Sequence, residues 1–98
     1  LTVLAGARHD VVEAADHYDL EVPGLGDDFL AEYDRVLARV AAAPEEGAPV
    51  PGARPRRRML FERFPYAVVY RELAPGRVRV VAVAHHRRRP GYWAARDR

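Results

Sequence analysis

A run of small and β-branched residues near the end of the chain places the strongest constraint on its fold. Residues 78–84 read Val-Arg-Val-Val-Ala-Val-Ala, which is typical of a strand that is buried on both faces. The run ends abruptly at His85 and His86, and three arginines at 87–89 and a Pro-Gly pair follow. A buried strand that delivers cations to one edge of a sheet indicates a functional site at that edge.

The residues before this strand predict two helices and a three-stranded meander. Apolar residues recur every three or four positions in residues 7–22 and 28–43, and Pro23-Gly24 breaks the helical pattern between them. The predicted strands are residues 1–4, 56–63, 66–73 and 77–85. Residues 45–55, which are rich in proline and glycine, are predicted to be a loop, and residues from Pro90 onward a loop or short terminal helix.

These elements predict a single α+β domain spanning residues 1–98, in which a helical hairpin packs on a small antiparallel sheet. Asp27 or Asp28 is expected to cap the second helix, because a carboxylate there meets free backbone N–H groups. Glu32 and Arg35 lie three residues apart on the face of this helix that is predicted to be exposed to solvent.

Charge is distributed very unevenly along the chain. Residues 1–53 contain eleven acidic residues and three arginines, whereas residues 54–98 contain thirteen arginines and three acidic residues, so the two parts carry net charges of −8 and +10. This pattern indicates a cationic face for a polyanion or an acidic partner, although the two halves could also neutralise each other in the fold. All sixteen basic residues are arginine.

Composition also excludes some classes of protein. The chain has no cysteine, which excludes disulfides, cysteine nucleophiles and thiolate zinc sites and is consistent with a cytoplasmic protein. No apolar stretch is long enough to span a membrane, and no secretory signal leads the chain.

Arginines dominate the candidate binding residues, because a guanidinium donates two parallel hydrogen bonds to a phosphate or a carboxylate. The candidate residues are Arg56, Arg57, Arg58, Arg87, Arg88 and Arg89, together with Tyr92 and Trp93. The two aromatic rings could stack on a base. Alternatively, the arginines form a solvated edge and Trp93 folds back over the core.

His85 has two interpretations. As a residue whose pKa is near neutral, it could act as a general acid or base. The favoured interpretation is that it ends the buried strand and hydrogen-bonds a backbone group. No metal site is predicted, because His85 and His86 point to opposite faces of a strand and no third ligand has suitable spacing.

The spacing His85-x-x-Arg88-x-Pro90-x-x-Trp93, with Phe64-Pro65-Tyr66 and Val69-Tyr70 upstream, resembles the RelE/ParE superfamily of toxins from type II toxin–antitoxin systems. The resemblance covers nearly the whole chain and is strongest to the ParE-like, or plasmid stabilisation, branch. It implies the element order β-α-α-β-β-β, no cofactor, a cognate ParD-like antitoxin as partner, and oligomers formed only through the antitoxin complex.

Two activities occur in the superfamily that the chain resembles. RelE-like members cut mRNA in the ribosome with basic side chains, whereas ParE-like members bind and poison DNA gyrase without catalytic residues of their own. Such nucleases typically carry an arginine at the position of Ala67 and lysines near Leu60 and Phe61. These departures favour a non-enzymatic, ParE-like gyrase inhibitor.

The alternative is a ribosome-dependent mRNA endoribonuclease whose other cations replace the missing one. Its candidate catalytic residues are His85, Arg88, Arg58, Arg63 and Tyr92. A generic basic nucleic-acid-binding module ranks third, because the sequence contains no recognised docking motif.

Overall fold

The computed structural model describes residues 1–97, which form two helices packed on one face of a five-stranded sheet. The strands are β1 (Thr2–Val3), β2 (Ala48–Val50), β3 (Arg56–Leu60), β4 (Tyr66–Ala74) and β5 (Arg77–His85). The helices are α1 (Ala5–Glu21) and α2 (Leu25–Ala42), and short 3-10 turns occupy Pro44–Glu46 and Ala94–Arg96. Within residues 1–97, neither helix combines the length and apolarity needed to cross a membrane.

The predicted α+β fold is confirmed, with three differences in the sheet, the first of which is that β3 ends at Leu60 and not at residue 63. The strand order is β1-β5-β4-β3-β2, and the meander from β3 to β5 is antiparallel as expected. However, β1 pairs with β5 in parallel, so the sheet is mixed. Residues 48–50, which were predicted to be in a loop, form β2. Pro49 misled the prediction, because a proline is compatible with an edge strand, where its missing N–H is not needed.

The start of α2 is capped by a residue of α1. The backbone N–H of Gly26 donates a hydrogen bond of 2.7 Å to Oδ1 of Asp19, and Gly24 is the N-cap residue. The prediction that Asp27 or Asp28 caps this helix is therefore wrong. Both lie in the first turn of α2, where their charge is favourable beside the positive end of the helix dipole.

The main core lies between the helices and the inner face of the sheet, which is the face that α1 and α2 cover. At its centre Phe29 stacks on Phe61 at 5.1 Å between ring centroids, and Tyr18 lies 4.9 Å from Phe64. Rings from both helices thereby hold the turn between β3 and β4 in place. Because these aromatic rings bury large apolar areas, we expect this cluster to contribute strongly to stability.

Glu32 is buried with 4% exposure, which contradicts its predicted place on the solvent face of α2. Its carboxylate accepts hydrogen bonds from the backbone N–H groups of Glu62 and Arg63 in the turn after β3. A buried carboxylate is stable there because the N–H groups replace its water. In contrast, Leu30 and Val22, which lie in the ranges where periodic apolar residues predicted helices, are 38% and 53% exposed.

A β-bulge in β5 changes which residues face outward. Val69 pairs with Ala82 and Tyr70 pairs with Val80, so Val81 is an extra residue in β5. Val81 and Ala82 consequently both belong to the apolar cluster on the outer face, the face opposite the helices, whereas Val80 and Val83 belong to the inner core. The bulge thus shifts the alternation of inward and outward side chains by one residue.

Candidate functional site

The C-terminal segment, residues 86–97, covers only part of the outer face of the sheet. Trp93 is 7% exposed and packs with Val69, Val81, Ala82 and Ala84. This matches the interpretation in which Trp93 covers the core, so its ring is not free to stack on a base. The part of the outer face that Trp93 leaves uncovered forms an apolar concavity beside the predicted cationic end of β5.

We call this concavity the outer groove; its volume is about 310 Å³. Ala67, Val69 and Ala84 form its apolar floor, and Trp93 forms one wall. The polar side chains around it are Arg58, His85, His86 and Arg88. The structure therefore brings together part of the predicted set, from β3 and from the end of β5, around an uncharged floor.

The floor of the outer groove carries no cation at Ala67. This residue is 4% exposed, pairs with Leu60 on β3 and Ala84 on β5, and lies near the centre of the sheet. To bind a phosphate from the floor of the groove, β4 would need an arginine or lysine at this position. The cations of the groove instead come from Arg58 and Arg88 at its sides.

His85 lies between the outer groove and a second cavity. Its Nδ1 accepts a hydrogen bond of 3.0 Å from the backbone N–H of Arg87, as the favoured interpretation predicted. Burial lowers the pKa of His85, and the charges of His86, Arg87 and His17 lower it further. The imidazole is therefore neutral near pH 7 and carries its proton on Nε2.

The second cavity, which we call the side cavity, has a volume of about 210 Å³ and lies between α1 and β5. Arg88 reaches into it and lies 4.1 Å from the ring centroid of Tyr92. The hydroxyl of Tyr92 donates to Asp10 at 3.3 Å. Burial, followed by the charge of Asp10, raises the pKa of Tyr92 to about 12, so its phenol is neutral. Arg88 is therefore partly held by a cation–π contact.

Asp10 also completes the exposed edge of β5. Its Oδ2 accepts the backbone N–H of Val83 at 3.0 Å, and Arg96 donates to Asp10 at 2.8 Å and to the carbonyl of Val81 at 3.3 Å. Because β1 pairs with β5 over two residues only, these side chains satisfy backbone groups that a longer strand would have paired. The ion pair fixes the C-terminal segment against α1.

The other predicted arginines do not join the outer groove. Arg57 donates to the carbonyl of Gly47 at 2.8 Å. Arg63 lies in the turn after β3, 3.6 Å from Asp28 of α2. Arg87 and Arg89 are exposed in the turn after β5 and do not line the groove. None of these four arginines lines the outer groove.

Arg56 is part of a buried cluster that the sequence analysis missed. Its Nε donates to Oδ2 of Asp97 at 3.1 Å, and its Nη2 donates to the Asp97 backbone carbonyl at 2.9 Å. Arg71 and Arg79 donate to the same carboxylate at 2.8 to 2.9 Å. We call Arg56, Arg71 and Arg79 the arginine row, because they lie on β3, β4 and β5. A sequence signal existed: Arg71 and Arg79 are placed opposite each other by the predicted hairpin.

The arginine row holds Asp97 as a carboxylate. Hydrogen bonds from Arg71, and then from Arg79 and Arg56, lower the pKa of Asp97 well below its usual range, although its burial acts in the opposite direction. Arg56 and Asp97 are 8% and 1% exposed. Arg56 is therefore a structural residue that anchors the C-terminal segment.

Metal chemistry finds no support in the described part of the chain. Within residues 1–97, no three His, Cys, Asp or Glu side chains converge as metal ligands would.

Comparison with known proteins identifies relatives of the chain. The sequence profile described as "ParE toxin of type II toxin-antitoxin system, parDE" matches residues 2–90. The fold is similar to a solved structure titled "Chromosomal ParDE TA system from P. aeruginosa", with a TM-score of 0.62 and 18% sequence identity. The match covers 86% of this chain and 91% of the other. No curated protein sequence matches the chain.

Proposed function

Since the chain belongs to the ParE toxin family of type II toxin–antitoxin systems, we propose that it inhibits DNA gyrase and is neutralised by a cognate ParD-like antitoxin. In this proposal the protein acts by binding, without breaking a covalent bond itself. The outer groove and the exposed arginines around it contact the protein partner.

The uncharged floor of the outer groove is the observation that carries this proposal. Ala67 stands where RelE-like nucleases typically carry an arginine that stabilises charge on the scissile phosphate, and Val69 and Ala84 continue the apolar floor beside it. An apolar floor surrounded by arginines is instead typical of a protein interface, in which apolar contacts supply area and arginines supply directed hydrogen bonds. Arg58 and Arg88 are the residues of the groove best placed for those hydrogen bonds.

A second candidate function is cleavage of mRNA on the ribosome. The neutral imidazole of His85 beside Arg88 favours it, because a neutral histidine can accept a proton and an arginine can stabilise a phosphate. Arg58 would approach the phosphate from the other side of the groove. Tyr92 and Arg63 would contribute little, because Tyr92 is tied to Asp10 and Arg63 lies at the turn near α2.

The two functions are separated by testing the purified protein in two assays. We expect it to inhibit DNA supercoiling by gyrase, and to leave mRNA intact on programmed ribosomes. Arg88→Ala should weaken the inhibition about tenfold, because it removes a hydrogen-bonding anchor at a protein interface. Arg35→Ala on the exposed surface of α2 is the matched control and should retain full inhibition.

If the protein cleaves mRNA in the ribosomal A site and His85→Ala abolishes this cleavage, the gyrase proposal is wrong and the protein is a nuclease. If the protein affects neither gyrase nor mRNA, both candidate activities are excluded. Membership of the toxin family does not depend on these assays.

A further inference from the structure

The arginine row carries more positive charge and more donors than its one carboxylate can use. Asp97 accepts four side-chain hydrogen bonds, from Nε of Arg56, from Nε and Nη2 of Arg71, and from Nη1 of Arg79. A carboxylate offers about four lone-pair positions, so Asp97 is saturated. Three guanidinium groups around one carboxylate leave a local excess of positive charge, which favours a second anion nearby.

A cavity of about 280 Å³ adjoins this cluster. The loop at residues 51–54 forms one side of it, Gly91, Trp93 and Ala94 form another, and Arg54, Arg56 and Asp97 complete it. We call it the arginine cavity. It is separate from the outer groove, but Pro51 and Trp93 line both.

Arg56 presents an available donor to the arginine cavity. Its Nε and Nη2 are bonded to Asp97, whereas Nη1 has no acceptor within residues 1–97 and lies on the side of Gly52. Arg56 lines the arginine cavity, so Nη1 is the donor that this side chain offers there. Arg54 is exposed beside it and, among the described residues, makes no ion pair.

We propose that the arginine cavity binds a carboxylate side chain of the antitoxin, held between Arg54 and Nη1 of Arg56. This proposal rests on the proposed function, which supplies the antitoxin as a protein partner. Asp97 fixes the Arg56 guanidinium through Nε and Nη2, which leaves Nη1 for a second acceptor such as the carboxylate of an Asp or Glu side chain. The antitoxin segment would extend from the outer groove past Trp93.

The geometry favours a carboxylate side chain over a nucleic-acid phosphate. Arg56 is only 8% exposed, so an anionic group can reach it only at the end of a slim side chain. An Asp or Glu side chain meets this condition, whereas the backbone of a nucleic acid is too bulky. The cavity also offers no exposed ring for stacking, because Trp93 is buried.

Trp93 provides a specific probe, because it is the only tryptophan in the chain and forms a wall of the arginine cavity. We would titrate the purified protein with a blocked hexaglutamate peptide and follow Trp93 fluorescence and the NMR resonance of its indole N–H. Inorganic phosphate and an oligodeoxythymidine of similar charge would be titrated in parallel. The expected result is a saturable change with the peptide and a weaker response to the other two anions.

Two matched variants test the site itself. Arg54→Gln should weaken peptide binding about fivefold, since it removes one partly exposed ion pair. Arg35→Gln makes the same change of charge on α2 and should leave binding within about twofold, because at moderate salt distant charges are screened. Neither variant removes a partner of Asp97, so both should fold normally.

Three outcomes would overturn the proposal. These are the absence of a saturable change with the peptide in either signal, an equal loss of affinity in both variants, and Arg54-dependent binding that is tighter for the oligonucleotide or phosphate. Inhibition of gyrase is measured separately, so loss of peptide binding with inhibition intact would reject this site alone.

Discussion

Gly26 lies at a point where α2 approaches α1 closely. A Cβ atom added to it would lie 2.5 Å from the backbone carbonyl oxygen of Ala15 and 2.6 Å from Cγ of Asp19. The carbonyl cannot move without moving α1. The same close approach lets Asp19 cap α2 at Gly26, so glycine here serves the packing of the hairpin.

Gly26→Ala should therefore destabilise the protein, although alanine is the better helix former. We expect a loss of about 1–3 kcal/mol in the free energy of unfolding, since overpacking outweighs the gain in helix propensity of about 1 kcal/mol. Urea unfolding followed by circular dichroism measures it. Ala38→Gly, at an exposed position of α2, calibrates the propensity alone. A Gly26→Ala protein that is as stable as the wild type would show that the hairpin is not tightly packed at this point.

At the scale of elements, the C-terminal segment is attached to the sheet by Asp97 and Arg96. Asp97 bonds to arginines of three strands, and Arg96 bonds to Asp10 of α1 and to Val81 of β5. Trp93 lies between these two anchors over the outer cluster. Through this segment, strands β3, β4 and β5 are linked on the face that the helices do not cover.

Asp97→Asn should destabilise the protein by about 2–4 kcal/mol at pH 7, because three arginines lose the charge that compensates them. The pKa of Asp97 is lowered in the folded state, so its contribution is present above the unfolded pKa of about 4 and is lost as pH falls through the folded value. The free energy of unfolding should thus fall with acidification below about pH 4 in the wild type, and less steeply in the variant.

Urea unfolding at a series of pH values from about 2 to 7 measures both the loss of stability at pH 7 and the dependence of stability on pH. Asp34→Asn, on the exposed surface of α2, is the control. It should change neither the free energy of unfolding at pH 7 nor its dependence on pH. If the free energies of unfolding of the wild type and of Asp97→Asn differ by the same amount at every pH, the negative charge of Asp97 does not stabilise the fold.

At the scale of the whole molecule, the uneven charge of the sequence is carried by different elements of the fold. Acidic residues such as Glu13, Asp16 and Glu21 lie exposed on α1, whereas Arg58 and residues 87–89 are exposed around the outer groove. The two halves of the chain therefore do not fully neutralise each other in the fold. A surface of one sign attracts a partner of the opposite sign from solution.

Association with an acidic antitoxin should consequently slow as salt rises. We expect the association rate constant to fall about tenfold between ~0.05 M and ~0.5 M sodium chloride, because the attraction between exposed charges is screened. Stopped-flow or surface-based kinetics measures it. The double variant Arg87→Gln, Arg89→Gln should reduce the slope against salt more than Arg35→Gln, Arg39→Gln on α2. A rate that is independent of salt would show that the exposed arginines do not steer the partner.

The sequence by itself determined the elements whose patterns are local. The apolar run at residues 80–84 of β5, the two helices and the antiparallel meander were predicted correctly, because each depends on the pattern of neighbouring residues. The absence of a cation at Ala67 was noted from the family resemblance, and the structure places this residue in the floor of the outer groove.

Only the tertiary structure decided which polar side chains are free and which are structural. Arg56 and Arg58 look alike in sequence, yet Arg56 is buried against Asp97, which lies 41 residues away, and Arg58 lines the outer groove. The burial of Glu32 likewise depends on N–H groups 30 and 31 residues away. A charged side chain is buried only where distant partners replace its water, and no local pattern specifies where those partners will lie.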